Sequence, residues 1–112
     1  MKSVNRDKAE KCLGGDGVFK QIAAHFLVEI DSMMMVVSEA IQSGDTDLIR
    51  AKAHWMKGGF AYLHADPSVQ ASKNLKTMAG EGPEQIAQAH TELKKEVNLL
   101  KRELTSLLAE SD

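Results

Sequence analysis

The segment Ala51-Lys52-Ala53-His54-Trp55-Met56-Lys57-Gly58-Gly59-Phe60 holds the side chains of this sequence best suited to chemistry. Ile49, Ala53, Met56, Phe60 and Leu63 recur in steps of four and three, the period of an α-helix. At about 100° per residue, that stripe turns Arg50, His54, Gly58 and Ala61 away from a core, with Lys57 at the edge. Residues three and four apart are neighbours on a helix surface, so His54 is flanked by the Lys57 ammonium and the bare backbone of Gly58. An imidazole is a usable nucleophile near neutral pH because much of it is uncharged there. A cation beside it favours a negatively charged adduct. The chemistry expected is capture of a transient anion, such as a phosphoryl group, or of an acidic partner surface.

The two glycines point the same way. Each costs about 1 kcal/mol relative to alanine in a helix interior. Gly59 falls on the other flank, where close helix packing would explain it. Gly58 points outward, where a partner approaching His54 explains it better. No acidic residue lies between Asp47 and Asp66, whereas Arg50, Lys52 and Lys57 all do. A solvated face is the plain alternative for three such cations.

The remaining candidates are weaker. His90, in Ala89-His90-Thr91-Glu92, is followed by Leu93 and Lys94 where a second site would need lysine and glycine. It falls on an apolar stripe and is expected to be a partly buried core histidine; His25 receives the same reading. His64 would lie about 15 Å along one helix from His54, too far to share a metal ion. Cys12 is the only cysteine, so neither an internal disulfide nor a cysteine zinc cluster can form. No metal motif, phosphate-binding glycine loop or dinucleotide fingerprint is present. Trp55, Tyr62 and Leu48 form a second apolar stripe, expected to pack under an N-terminal helix.

These residues need a helical scaffold, and the composition supplies one. The 112 residues are 43% hydrophobic and 27% charged but only 4% aromatic, with two prolines, which favours a helical domain over a strand-rich one. Residues 1–112 are expected to form a single domain. A net charge of −2 gives no global attraction to nucleic acid. The opening segment has no apolar leader, and runs such as Met33-Met34-Met35-Val36-Val37 are far short of a membrane span, so a cytoplasmic domain is expected.

A short helix is predicted from about Val4 to Leu13, stopped by Gly14-Gly15. A long one follows Asp16 through Phe19, Ile22, Phe26, Ile30, Met33, Val37 and Ile41, with a break near Glu29-Ile30-Asp31-Ser32. Ser43-Gly44 ends it, and Asp45 or Thr46 caps the helix carrying His54. Asp66-Pro67 reads as a cap and first position of a weakly apolar helix to about Ala79. After Gly80-Glu81-Gly82-Pro83, a stripe through Ile86, His90, Leu93, Val97, Leu100, Leu104 and Leu107 marks a long amphipathic helix. The fold expected is all-α, an up-down-up-down four-helix bundle with a short extra N-terminal helix.

Ala53-His54-x-Met56-Lys57-Gly58, on the second long helix of such a bundle, resembles the histidine-containing phosphotransfer (HPt) domain family, whose signature is AHxLKG followed by a small residue and alanine. Leu13-Gly14-Gly15-Asp16, Phe26, Ala40-Ile41-x-x-Gly44-Asp45 and the long last helix are similar to family positions too, so the resemblance spans nearly the whole chain. The departures are specific. Met56 replaces leucine or isoleucine, Gly59 and Phe60 a small polar pair, and His64 a glycine beside the bulky Tyr62. Ser68 and Lys76 stand where leucine and glutamate are usual.

The resemblance implies a phosphorelay carrier of a two-component system. His54 would accept a phosphoryl group from a receiver-domain aspartate and return it to another receiver. Lys57 would neutralise its charge and Gly58 admit the partner, with Arg50 and Ala61 on the same binding face. The receiver would supply Mg²⁺ and most catalytic groups, so this chain would need no cofactor or metal and would not be an enzyme alone. Partners implied are response-regulator receivers and a hybrid sensor histidine kinase, with the chain a monomer that binds neither nucleic acid nor membrane. Two other readings stay open. One is a non-catalytic helical adaptor that dimerises through the stripe from Ile86 to Leu107. The other is the phosphoacceptor domain of a larger chemotaxis-type or hybrid kinase, to which Lys57-Gly58-Gly59 is also similar.

Overall fold

The computed structural model describes residues 4, 5, 8 and 16–109. These form four α-helices, α1 (Asp16–Ser43), α2 (Thr46–Tyr62), α3 (Asp66–Met78) and α4 (Pro83–Ala109), and no strand occurs among the described residues. The expected helix from Val4 to Leu13 and the Leu13-Gly14-Gly15 stop lie outside the described residues, apart from Val4, Asn5 and Lys8. Val4 is buried, and the Asn5 N–H donates to the His64 carbonyl at 2.9 Å.

Each helix packs on the next in sequence, and α1 also packs on α4. The apolar stripes meet inside. Phe19, Ile30 and Val37 come from α1, Ile49, Met56 and Phe60 from α2, Leu75 from α3, and Leu93, Leu100 and Leu104 from α4. Full burial of side chains this size stabilises by about 1.5–3 kcal/mol each. The Phe26 and Phe60 rings tilt against each other between α1 and α2, with centroids 5.7 Å apart. The α4 stripe proposed as a dimer seam therefore lies largely inside: Leu93, Val97, Leu100 and Leu104 are buried.

Three expectations about α1 and α3 need correction. First, α1 runs unbroken through Glu29-Ile30-Asp31-Ser32. Ile30 is fully buried while Glu29, Asp31 and Ser32 face solvent, so the polar cluster is merely the outer side of a continuous turn. The Lys101 ammonium of α4 also donates to the Asp31 carboxylate at 2.8 Å there. Second, α1 contains an 18-residue window of mean hydropathy 1.2 and is long and apolar enough to cross a membrane by length and composition alone. Its Phe19, Ala23, Phe26, Ile30, Val37 and Ala40 enter the core shared with the other helices. Third, Asp66 is not the cap of α3. Ala65 holds that position without a side-chain bond, Asp66 opens the helix, and Pro67 sits in its first turn.

α2, which carries His54, is fixed at both ends. Gly44 at φ +73° ends α1, and Asp45 caps α2 by accepting the Leu48 N–H at 3.2 Å. At the other end the Ala65 N–H reaches the Phe60 carbonyl and the His64 N–H the Ala61 carbonyl, both at 3.0 Å. This is a Schellman ending, and its left-handed residue is His64 at φ +53°. α2 therefore stops at Tyr62, and His64 does not continue the helix of His54 as expected.

Candidate functional site

The side of α2 opposite Ile49, Ala53, Met56 and Phe60 is the outward face, and His54 stands exposed on it. Ala61 and Gly58 are exposed beside it, and Lys57 is half-buried. A Cβ placed on Gly58 would meet nothing within 4 Å. No packing among the described residues therefore requires this glycine, and none of them offsets the cost of glycine in a helix interior. Gly59 differs. A Cβ there would lie 3.2 Å from Met33 Cε and 3.9 Å from Phe26 Cε2, so Gly59 lets α1 approach α2.

Arg50 is exposed, but its guanidinium turns away along the helix. It lies 4.0 Å from Asp47, and its Nη2 occupies space 2.5 Å from where a Gly80 Cβ would be. Of the residues grouped on the sequence wheel, His54, Lys57, Gly58 and Ala61 stay together, while the charge of Arg50 is drawn to the α3–α4 turn.

On the α1 side of Gly58 lies a groove of about 590 Å³, lined by Ile22, His25, Phe26, Met33, Trp55 and Tyr62 among others. Two expectations fail here. His25 is exposed on the groove and is not a partly buried core residue. Trp55, Tyr62 and Leu48 stay 47%, 59% and 37% exposed and are not packed away. Lys52 Nζ lies 6.0 Å from the centre of the Trp55 ring, a cation–π contact at the groove edge. The sequence stripe through 48, 55 and 62 did locate this apolar surface, but assigned it to the interior. Its nearness to His54 was the signal that it lies outside.

His90 behaves as expected. It is half-buried and shares a 3.3 Å hydrogen bond with Ser38 of α1. Burial, and then the Lys94 charge one turn on, push its pKa below the ordinary histidine value. No group of three or more histidine, cysteine or acidic side chains placed to hold a metal occurs among the described residues.

The arrangement is thus an exposed imidazole with an ammonium one turn away, open space over a glycine, and an apolar groove alongside. Such a surface can seat a charged group on one nitrogen while a second protein covers it. The family model of the Hpt domain matches residues 21–110. No curated protein matches the chain, and no solved structure does.

Proposed function

The chain belongs to the Hpt domain family, and from that premise we propose that His54 is its phosphoryl acceptor in a two-component phosphorelay. Hpt domains are phosphocarriers that work with receiver domains and histidine kinases, and this chain is a carrier of that kind. The open space over Gly58, one turn from an exposed imidazole, carries the reading. A glycine that no described residue needs is accounted for by a receiver that must come close.

In the transfer, the uncharged outward nitrogen of His54 attacks the phosphorus of an aspartyl phosphate on the receiver. The N–P bond forms as the P–O bond to the aspartate breaks, and the carboxylate leaves with the bonding electrons. Lys57 offsets the phosphoryl charge as it arrives, and Gly58 and Ala61 leave room for the receiver backbone. Arg50 adds to the positive potential of the face from farther along α2. The receiver contributes Mg²⁺ and the groups that activate its own aspartate. Return of the phosphoryl group to a second receiver is the same step reversed. The short turns and the ring of contacts support an up-down-up-down bundle, and the proposed state is a cytoplasmic monomer.

The test is incubation of the chain with a phosphorylated receiver. Acid-labile, base-stable phosphate on one histidine supports the reading. A chain that takes up none would contradict it and favour a non-catalytic adaptor.

A further inference from the structure

The positive face around His54 does not end with α2. Between Asp47 and Glu81 the sequence has five basic side chains, Arg50, Lys52, Lys57, Lys73 and Lys76, and one acidic one, Asp66. Lys73 and Lys76 belong to α3, the helix with the most extensive packing on α2.

The fold sets where these two lysines stand. Arg50, near the start of α2, reaches Gly80, just beyond the end of α3, so the two helices run antiparallel along their length. The turn between them is centred on His64. His54 is about three turns before that centre, and Lys73 and Lys76 are about two and a half and three and a third turns after it. They straddle the level of His54.

Their flank is fixed by exclusion. Ser68, Ser72 and Leu75 point into the core, and Gln70, Ala71 and Asn74 line a groove with Glu92, Lys95 and Glu96 of α4. Lys73 and Lys76 lie on the remaining flank, the one toward α2. By the same reasoning Trp55, Gly58, Gly59 and Tyr62 of α2 face α1, and Arg50, His54, Lys57 and Ala61 lie on the side toward α3. Packed helices sit about 8–10 Å apart, and a lysine stem spans much of that distance.

We propose that Lys73 and Lys76 form the second bank of a cationic seat for the phosphoryl group on His54, facing Lys57 across the α2–α3 seam. This rests on His54 being the acceptor. No hydrogen bond or ion pair to a described residue engages the side-chain ammonium of Lys57, Lys73 or Lys76, so their charge is not spent inside the fold. The charged groups on the two facing flanks are Arg50 and Lys57 from α2 and Lys73 and Lys76 from α3; Asp47 is beside Arg50, and Asp66 and Glu81 stand at the far ends of α3. Lys76 is half-buried, which holds its stem against the seam and limits where the ammonium can go.

The experiment loads the full chain with phosphate from a phosphorylated receiver, removes the receiver, and follows the phosphohistidine by ³¹P NMR across pH. A nearby cation favours the doubly ionised phosphoryl group, so the titration midpoint of that group reports charge in the seat. Lys76→Gln and Lys76→Glu should raise it in order, by about 0.4 per charge step at low salt. Lys73→Gln should act in the same direction, added salt should shrink all three effects, and Lys95→Gln, on α4 across the groove beyond the opposite flank of α3, should leave the midpoint unchanged. Thermal melts check that each variant is folded. A midpoint that ignores the charge at 73 and 76 would overturn the seat, and so would an effect confined to the KM for the receiver, which would assign these lysines to the partner surface. If the wild-type chain takes no phosphate on His54, the acceptor assignment fails, and the seat with it.

Discussion

At the scale of single residues, the structure separates two adjacent glycines that sequence alone could only tell apart by a helical wheel. Gly58→Ala fills open space and should raise stability by up to about 1 kcal/mol, the helix preference of alanine. Gly59→Ala meets the Met33 methyl, which must shift by a few tenths of an ångström, so it should melt below Gly58→Ala. Paired thermal melts check the order, and the reverse order would place the outward face of α2 elsewhere. Lys57→Ala should slow phosphoryl transfer by one to two orders of magnitude, or about 1.4–3 kcal/mol of barrier, without stopping it. Single-turnover transfer from a phosphorylated receiver measures this; an unchanged rate would make Lys57 part of a solvated face. The outward set His54, Lys57, Gly58 and Ala61 was legible from periodicity because it is a property of one helix. The direction of the Arg50 guanidinium was not, because it depends on Gly80 in a different turn.

At the scale of the helices, apolar spacing located α1, α2 and α4 because their stripes are long and regular. α3 was the least legible. Ser68 and Ser72 are fully buried in it, so part of its inward face is polar and its apolar pattern is weak. Ser72 satisfies its hydroxyl on the Ser68 carbonyl at 2.9 Å, but the Ser68 hydroxyl has no partner among the described residues. Ser68→Ala removes an unsatisfied buried group at little cost in volume and should stabilise by about 1 kcal/mol in urea melts; a loss would reveal a partner for the hydroxyl. The ending of α2 explains another departure from the family pattern. A Schellman motif asks for glycine at its left-handed position, and His64 fills it at φ +53°. α1 and α4 are joined through Ser38 and His90, and this contact should be felt in pH dependence. The folded-state pKa of His90 lies below its unfolded value, so between the two the unfolded chain binds more protons. The stabilisation is complete above about pH 6.5 and is lost as pH falls through the lowered value. Melting temperatures of wild type and His90→Gln should therefore converge toward acid pH, and parallel curves would remove His90 from the account.

For the whole molecule, the sequence conveyed an all-helical chain with one outward histidine face, and the structure adds what packing decides. The α4 stripe that could have paired with a second copy is occupied by the core, whereas the apolar stripe at 48, 55 and 62 is left outside next to His54. Both stripes are apolar in sequence; the arrangement of four helices determines which is covered. The molecule thus places its core on one side of α2, and on the other an imidazole bordered by positive charge and an apolar groove. The measurement that bears most directly on this account is transfer from a phosphorylated receiver to the wild-type chain and to His54→Gln, with helical content followed in parallel. Because His54 is exposed and leaves no cavity when replaced, the variant should fold as wild type and take up no phosphate. Equal labelling of the variant, or phosphate mapped to His25, His64 or His90, would contradict it.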